Sequence, residues 1–273
     1  MRILSLTIAG VLMASSAGAA MAQDWTGGYL SIYGGTALDP DDDNDRIQFD
    51  TNLDGGFGDT VNTAAGANAF SPGFCNGGAR GAVPSDGCRG NKGGSDFGVR
   101  GGYDWQSGSM VYGVLAEYSR PDYRDEVSAF STTPAFYTMS REIDDVLAIR
   151  GRIGFAFGDG GNLLYGTAGY ARAGIDNAFA TSNGVNTFVG SGDSDADGYQ
   201  LGLGYERRLG DNFSFGVEYL YSNLDDGDYR VRAQGPAPAT NPFILVNAGG
   251  TDFSRSDDDI RLESVRVTAN WRF

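Results

Sequence analysis

Ten charged residues sit at alternate positions of short apolar segments, and their chemistry raises the first question about this chain. They are Arg100, Asp104, Glu117, Arg150, Arg152, Glu206, Arg208, Glu218, Arg266 and Arg272. With Asp96 they amount to six positive and five negative charges, close to balance in a chain of formal net charge −15. Guanidinium and carboxylate groups gathered on one face of a set of strands must pair with each other, because a buried charge is tolerated only when partnered. The simplest reading is a structural ion-pair layer in a lumen. The alternative is a conducting path in which Glu117, Arg150, Arg152 and Glu218 line and select. A second pattern is acidic. Asp50-Thr51-Asn52-Leu53-Asp54-Gly55 and Asp193-Ser194-Asp195-Ala196-Asp197-Gly198 both carry the D-x-[DN]-x-D-G spacing that wraps oxygens around a divalent cation, Ca²⁺ or Mg²⁺. The Glu due at the twelfth position is Val61 in one and Gly204 in the other, so both motifs are incomplete. Histidine is absent altogether, which removes the commonest general base and the Ser-His hydrolases with it. No serine or carboxylate stands in a nucleophile motif, so no enzyme is expected.

Holding charges at alternate positions requires strands, and period-2 alternation marks eight of them with no helix of three turns. They cover 27–38, 96–106, 111–119, 145–157, 162–173, 197–209, 213–223 and 259–273, each 9 to 15 residues long. A tilted strand needs about 9–11 residues to cross a bilayer. In the second strand Phe97, Val99, Tyr103 and Trp105 oppose Asp96, Arg100 and Asp104; in the seventh, Phe213, Phe215, Val217 and Tyr219 oppose Ser214 and Glu218. Face parity across the turns aligns Trp105 with Tyr112, Arg100 with Glu117, Phe155 with Leu164 and Leu209 with Phe213. The first strand does not choose a face, since Leu30 and Ile32 oppose Tyr29, Ser31 and Tyr33.

The connections alternate between short and long. Ser107 to Met110, Gly158 to Gly161 and Gly210 to Asn212 are tight turns, whereas 39–95, 120–144, 174–196 and 224–258 are long polar segments expected to be loops. Short turns at one end and long loops at the other are the pattern of an outer-membrane barrel, with the turns periplasmic. The expected fold is therefore all-β: an eight-stranded antiparallel transmembrane β-barrel with long extracellular loops. Eight strands enclose an interior just wide enough to be filled by side chains. The long segments hold 23 acidic and 10 basic residues, so nearly all the net charge lies there. Glycine, at 43 of 273 residues against an average near 7%, is spread through the apolar segments and suits closely approaching strands rather than disorder.

Arg2, the apolar run Ile3 to Ala14 and the small-residue site Ala20-Met21-Ala22 read as a secretory signal peptide, 1–22, leaving 23–273 as the barrel domain. Removing Arg2 makes the net charge −16, which argues against nucleic acid as a partner. The only cysteines, Cys75 and Cys88, lie 13 positions apart in an exported chain and are expected to form one local disulfide. Trp105, Tyr112, Phe155, Phe157, Phe213, Trp271 and Phe273 gather near the turns and the C-terminus as a membrane girdle would.

The ending Arg266-Val267-Thr268-Ala269-Asn270-Trp271-Arg272-Phe273 resembles the alternating, Phe-terminated last strand of bacterial outer-membrane barrels. Trp25-Thr26-Gly27-Gly28-Tyr29 resembles the W-[ST]-G-x-Y start of small alphaproteobacterial outer-membrane surface proteins, and Tyr112-Gly113-Val114-Leu115-Ala116-Glu117 resembles their third strand. Those proteins are similar to OmpA/OmpX-type eight-stranded barrels. Ser31 and Gly28 depart from the pattern, and the first loop is longer than the family's. The resemblance implies location in the cell outer membrane, contact with outer-membrane lipid and lipopolysaccharide, and reading of Trp271 and Phe273 by the barrel-assembly machinery. The expected function is non-enzymatic, in envelope structure and surface interaction through acidic loops toward an extracellular partner the sequence does not name. A narrow porin for small solutes or ions, and divalent-cation binding by the surface loops, are the alternatives. No cofactor is expected beyond that Ca²⁺ or Mg²⁺.

Overall fold

The computed structural model describes residues 24–38, 45–192, 194–227 and 229–273; the expected signal peptide lies outside them. Eight strands form the barrel: β1 Gly27–Ala37, β2 Lys92–Ser107, β3 Met110–Ser131, β4 Ala135–Phe157, β5 Asn162–Thr181, β6 Asp195–Leu209, β7 Phe213–Asp225 and β8 Asp259–Arg272. Each pairs antiparallel with its neighbours in sequence, and β8 pairs with β1 to complete the ring. The register places Trp105 opposite Tyr112, Arg100 opposite Glu117, Phe155 opposite Leu164 and Leu209 opposite Phe213, as parity across the turns requires. The tight turns use Gly108, Gly158 and Gly210 at positive φ.

Alternation decides the faces. In β1, Tyr29, Ser31 and Tyr33 point inward and are buried, while Leu30 and Ile32 are 56% and 65% exposed on the outside. The strand that had no preference by hydropathy is settled by its neighbours, since a Cβ at Gly102 of β2 would collide with the Tyr29 ring. Tyr165 is accommodated in the same way by Gly204. The outer surface carries apolar side chains from every strand, including Trp105, Tyr112, Phe155, Phe213, Trp271 and Phe273. An exposed apolar belt of that extent is untenable in water and suits hydrocarbon.

The structure corrects the expected loops. Strands β3, β4 and β5 run for 22, 23 and 20 residues, about twice what a bilayer needs. Segment 120–144 is thus not a loop but a projecting hairpin, and 174–196 is largely strand, with Thr187–Ser191 continuing the strand content beyond β5. Register shifts fall between Gly93 and Asp96, Ser119 and Arg124, and Ile143 and Asp145, where the barrel wall gives way to these extensions. Bulges bend and twist a sheet locally, which lets the projections lean over the mouth.

Above the mouth a second antiparallel sheet joins Thr187–Ser191, Arg230–Gln234, Thr251–Arg255 and Ile47–Asp50, in that order. It brings together segments from three of the four long connections. Its apolar side packs with β3 and β4 around Phe49, Phe70, Tyr137, Phe243 and Phe253. Ring centroids of Phe49 and Phe70 are 4.4 Å apart, and those of Phe49 and Phe253 5.0 Å. The expected disulfide between Cys75 and Cys88 is present, with Cα atoms 6.6 Å apart. It ties Gly73–Asn76, which pairs with β3, to the following turn. Closing so short a loop contributes about 3 kcal/mol on the chain-entropy account.

The cap therefore has a core of its own above the barrel. Phe253→Ala should remove about 3–5 kcal/mol of cap packing. Limited proteolysis should then cut within the long segments, while heat-modifiable gel mobility still reports a folded barrel. Loss of both together would mean that cap and barrel fold as one unit.

Candidate functional site

The inward faces build a stack of layers. Nearest the turns, Asp104, Arg152, Glu206 and Arg272 form a ring: Arg272 lies 2.7 Å from Asp104 and 3.4 Å from Glu206, Arg152 lies 3.1 Å from Asp104, and Arg152 also pairs with Glu206. The Arg152 guanidinium sits 3.9 Å from the centroid of the Tyr165 ring. Further along, Asp96, Glu117 and Glu218 interlock with Arg100, Arg150 and Arg266. Arg150 reaches Glu117 at 2.5 Å and Glu218 at 3.3 Å; Arg100 reaches Glu218 at 2.8 Å; Arg266 reaches Asp96 at 2.6 Å and Glu117 at 2.7 Å. Tyr33 and Tyr165 donate their hydroxyls to Glu117 and Glu218. All ten charged side chains are buried, and their signs balance. Such pairs contribute little net stability, but stripping one partner leaves an uncompensated buried charge.

Arg208 is a correction. It was expected in the lumen network, yet it lies half-buried at the turn-side rim and donates to the backbone carbonyls of Asp24 and Asp211. It stands two residues before the Gly210–Asn212 turn, so its long stem reaches out of the mouth rather than into it. There it flanks Trp25, which closes that mouth and is fully buried. The Trp25 indole N–H donates to the Gly160 carbonyl at 2.7 Å, and Arg272 donates to the Trp25 carbonyl at 3.0 Å.

Toward the long connections the charged layers give way to an apolar one, including Val146, Ala148, Ala171, Ala173, Leu224 and Leu262. A third ionic layer then joins barrel to cap, and sequence reasoning missed it. Arg141 lies 2.8 Å from both Asp125 and Asp226 and donates to the carbonyls of Asp257 and Asp259; Arg255 lies 2.6 Å from Asp125 and also pairs with Asp45. The signal was hidden by the β-bulge. Arg141 and Ile143 point inward, then the register slips and Val146, Ala148 and Arg150 do, so simple alternation assigns Arg141 to the wrong face.

The two acidic motifs sit in different surroundings. Asp50 is buried, and its carboxylate accepts the backbone N–H groups of Leu53, Asp54 and Gly55, closing a turn on itself. Asn52 and Asp54 bond each other. In the second motif Asp195 and Asp197 lie on β6 rather than in a loop, with Asp195 2.6 Å from Arg172, and Asp193 lies outside the described residues. Among the described residues no group of three or more Asp, Glu, Cys or His side chains is placed to hold a metal ion.

An antiparallel ring of eight strands with an apolar exterior, a polar interior and connections short at one end and long at the other defines a transmembrane β-barrel. The model of the outer membrane protein β-barrel domain matches residues 7–273, and the chain belongs to that family. It is 30% identical over 128 residues to the 22 kDa outer membrane protein of Rhizobium leguminosarum bv. viciae, covering 47% of this chain and 52% of that one. The chain thus spans about half the length of that relative. It is 26% identical over 182 residues to the 31 kDa outer-membrane immunogenic protein of Brucella melitensis, covering 66% of this chain and 67% of that one. Among solved structures OprG from Pseudomonas aeruginosa is similar, with a TM-score of 0.49 and 13% identity over 93% of this chain and all of that one.

The junction layer makes a pH prediction. Burial raises the pKa of Asp226 above the usual 3.8, the neighbouring Arg141 opposing the shift. A carboxyl that holds its proton more tightly when folded contributes its stability below pH 3.8 and loses it as pH rises through the raised folded value. Asp226→Asn should therefore protect the cap against protease at pH 7, and its advantage over wild type should shrink as pH falls toward 4. A variant less resistant than wild type at pH 7 would show that the Arg141 pair outweighs the burial cost.

Proposed function

We propose that this outer-membrane β-barrel is a non-conducting anchor that presents a folded extracellular cap for surface interaction. The observation that carries the reading is the filled lumen: Trp25 at the turn-side mouth, two balanced ionic layers, an apolar layer and a third ionic layer under an aromatic core. Water-filled channels belong to barrels of many more strands. The chemistry is non-enzymatic: the Ser214 hydroxyl that meets a carboxylate, Glu206, is sealed in the packed lumen, where no substrate reaches it. The signal peptide exports the chain, the barrel sits in outer-membrane lipid, and the acidic cap stands at the level of lipopolysaccharide, where a solvated charged surface is suited. The name of the Brucella relative, an immunogenic outer-membrane protein, supports exposure of such a cap. Trp271 and Phe273 form the terminal signal read during assembly; both are exposed on the outer face, and the Phe273 N–H is anchored to the Gly28 carbonyl at 3.1 Å.

Refolded protein in a planar bilayer, verified by heat-modifiable mobility, should be electrically silent. Discrete conductance steps that change with Glu117→Ala or Arg150→Ala would overturn the reading in favour of a narrow pore. The assembly role makes a separate prediction. Phe273→Ser should lower the folded protein in outer-membrane fractions several-fold while leaving refolding in detergent unchanged. An equal defect in detergent would make the residue structural instead.

A further inference from the structure

At the outermost end of the cap a cavity of roughly 240 Å³ opens where the tips of all four long connections meet. Its lining comes from Thr63 and Ala69, from the β3–β4 turn at 131–135, from 182–185 after β5, and from 241–243 before the last cap strand. None of the lining residues carries a charge, although the long segments hold 23 acidic and 10 basic residues. An uncharged concavity in so charged a cap selects against ionic ligands, for which no counter-charge is provided.

The walls mix two chemistries. Ala69, Pro134, Ala135, Val185, Pro242 and the edges of Tyr137 and Phe243 supply C–H surface. Around them stand the hydroxyls of Thr132, Thr133 and Ser182 and the amides of Asn183 and Asn241. A purely apolar occupant would strip water from the exposed hydroxyls of Thr132 and Thr133 without replacing its hydrogen bonds, which is costly. The walls are also held in place. Asn183 donates to the Tyr137 hydroxyl at 3.0 Å and to Asn186 at 3.2 Å, Asn186 and Asn241 exchange amide hydrogen bonds, and Ser182 accepts the Phe136 N–H at 3.1 Å. A preorganised site loses little conformational entropy on binding.

We propose that this cavity binds one neutral sugar ring of a glycan. A pyranose presents C–H groups and neutral hydroxyls on one small rigid frame, matching a lining of both kinds. The volume lies below the about 300–1,000 Å³ of pockets for drug-sized ligands, so one ring is held and the chain continues into solvent. The proposal rests on the reading of the cap as the interacting surface, but not on whether the lumen conducts.

The test is saturation-transfer NMR on refolded protein in deuterated detergent, with methyl glycosides of neutral hexoses and of N-acetylhexosamine as probes and methyl glucuronide as the charged control. Saturation should pass to at least one neutral glycoside and not to the glucuronide. Val185→Trp, which fills the cavity from a position 58% exposed, and Thr133→Glu, which charges its exposed rim, should each weaken binding about tenfold or more with protease resistance of the cap unchanged. Two further arms use the source bacterium's own O-polysaccharide and an array of animal-type glycans; binding in either supports the proposal and names the source. Absence of transfer from every neutral glycoside, or transfer that both variants leave intact, overturns it. Preferential capture of uncharged peptides over glycosides overturns it as well. Because these readouts use purified protein without a membrane potential, their failure is separable from a conductance result that would overturn the anchor reading.

Discussion

Pairing of buried charge inside a narrow ring of strands is the constraint on which the rest of this structure depends. Eight strands enclose an interior that side chains can fill, and here each buried inward Arg meets a carboxylate from another strand. Arg100 and Glu117 are cross-strand neighbours, as are Glu218 and Arg266, while Arg150, on the strand beside that of Glu117, bridges the two carboxylates. A one-residue slip of any strand would send these charges into lipid and the apolar belt into the lumen. The ionic layers thus specify register more than they add stability. Glycines complement them: a Cβ at Gly169 would collide with the Ile149 carbonyl where Arg150 turns inward, and one at Gly113 with the Asp104 carboxylate.

The same logic continues beyond the membrane with a different solution. Strands β3 to β5 extend past the bilayer, where water would compete for their edges, and the exposed ends are covered by a second sheet and an aromatic cluster. The junction brings Asp45, Asp125 and Asp226 to Arg141 and Arg255, tying the cap segments to the barrel rim.

A cap with its own core differs from a set of mobile loops in what it can recognise. Held side chains keep a fixed arrangement of donors, acceptors and apolar surface, which permits selective contact at low entropic cost. The long segments carry most of the net charge, while the cavity where they meet is lined by uncharged residues.

Much of the barrel was legible in the sequence because alternation is a local property. Each apolar or polar residue states its own face, and a tight turn carries that parity into the next strand, so the register of Arg100 with Glu117 followed without coordinates. The resemblance of the terminal strand added the compartment. Arg208 was misplaced because alternation gives a direction but not a depth, and a long side chain beside a turn can leave the lumen. Arg141 was missed because a bulge resets parity. The faces of β1 needed Gly102 opposite Tyr29 and Gly98 opposite Tyr33, which belong to another strand. The cap was invisible for a related reason: Phe49, Phe70, Tyr137, Phe243 and Phe253 are scattered over some 200 positions in segments too short and too rich in Gly, Asp and Pro to show periodicity. Their common core exists only because the barrel brings the four long connections to one rim, and proximity of that kind is a property of the closed ring rather than of any stretch of chain.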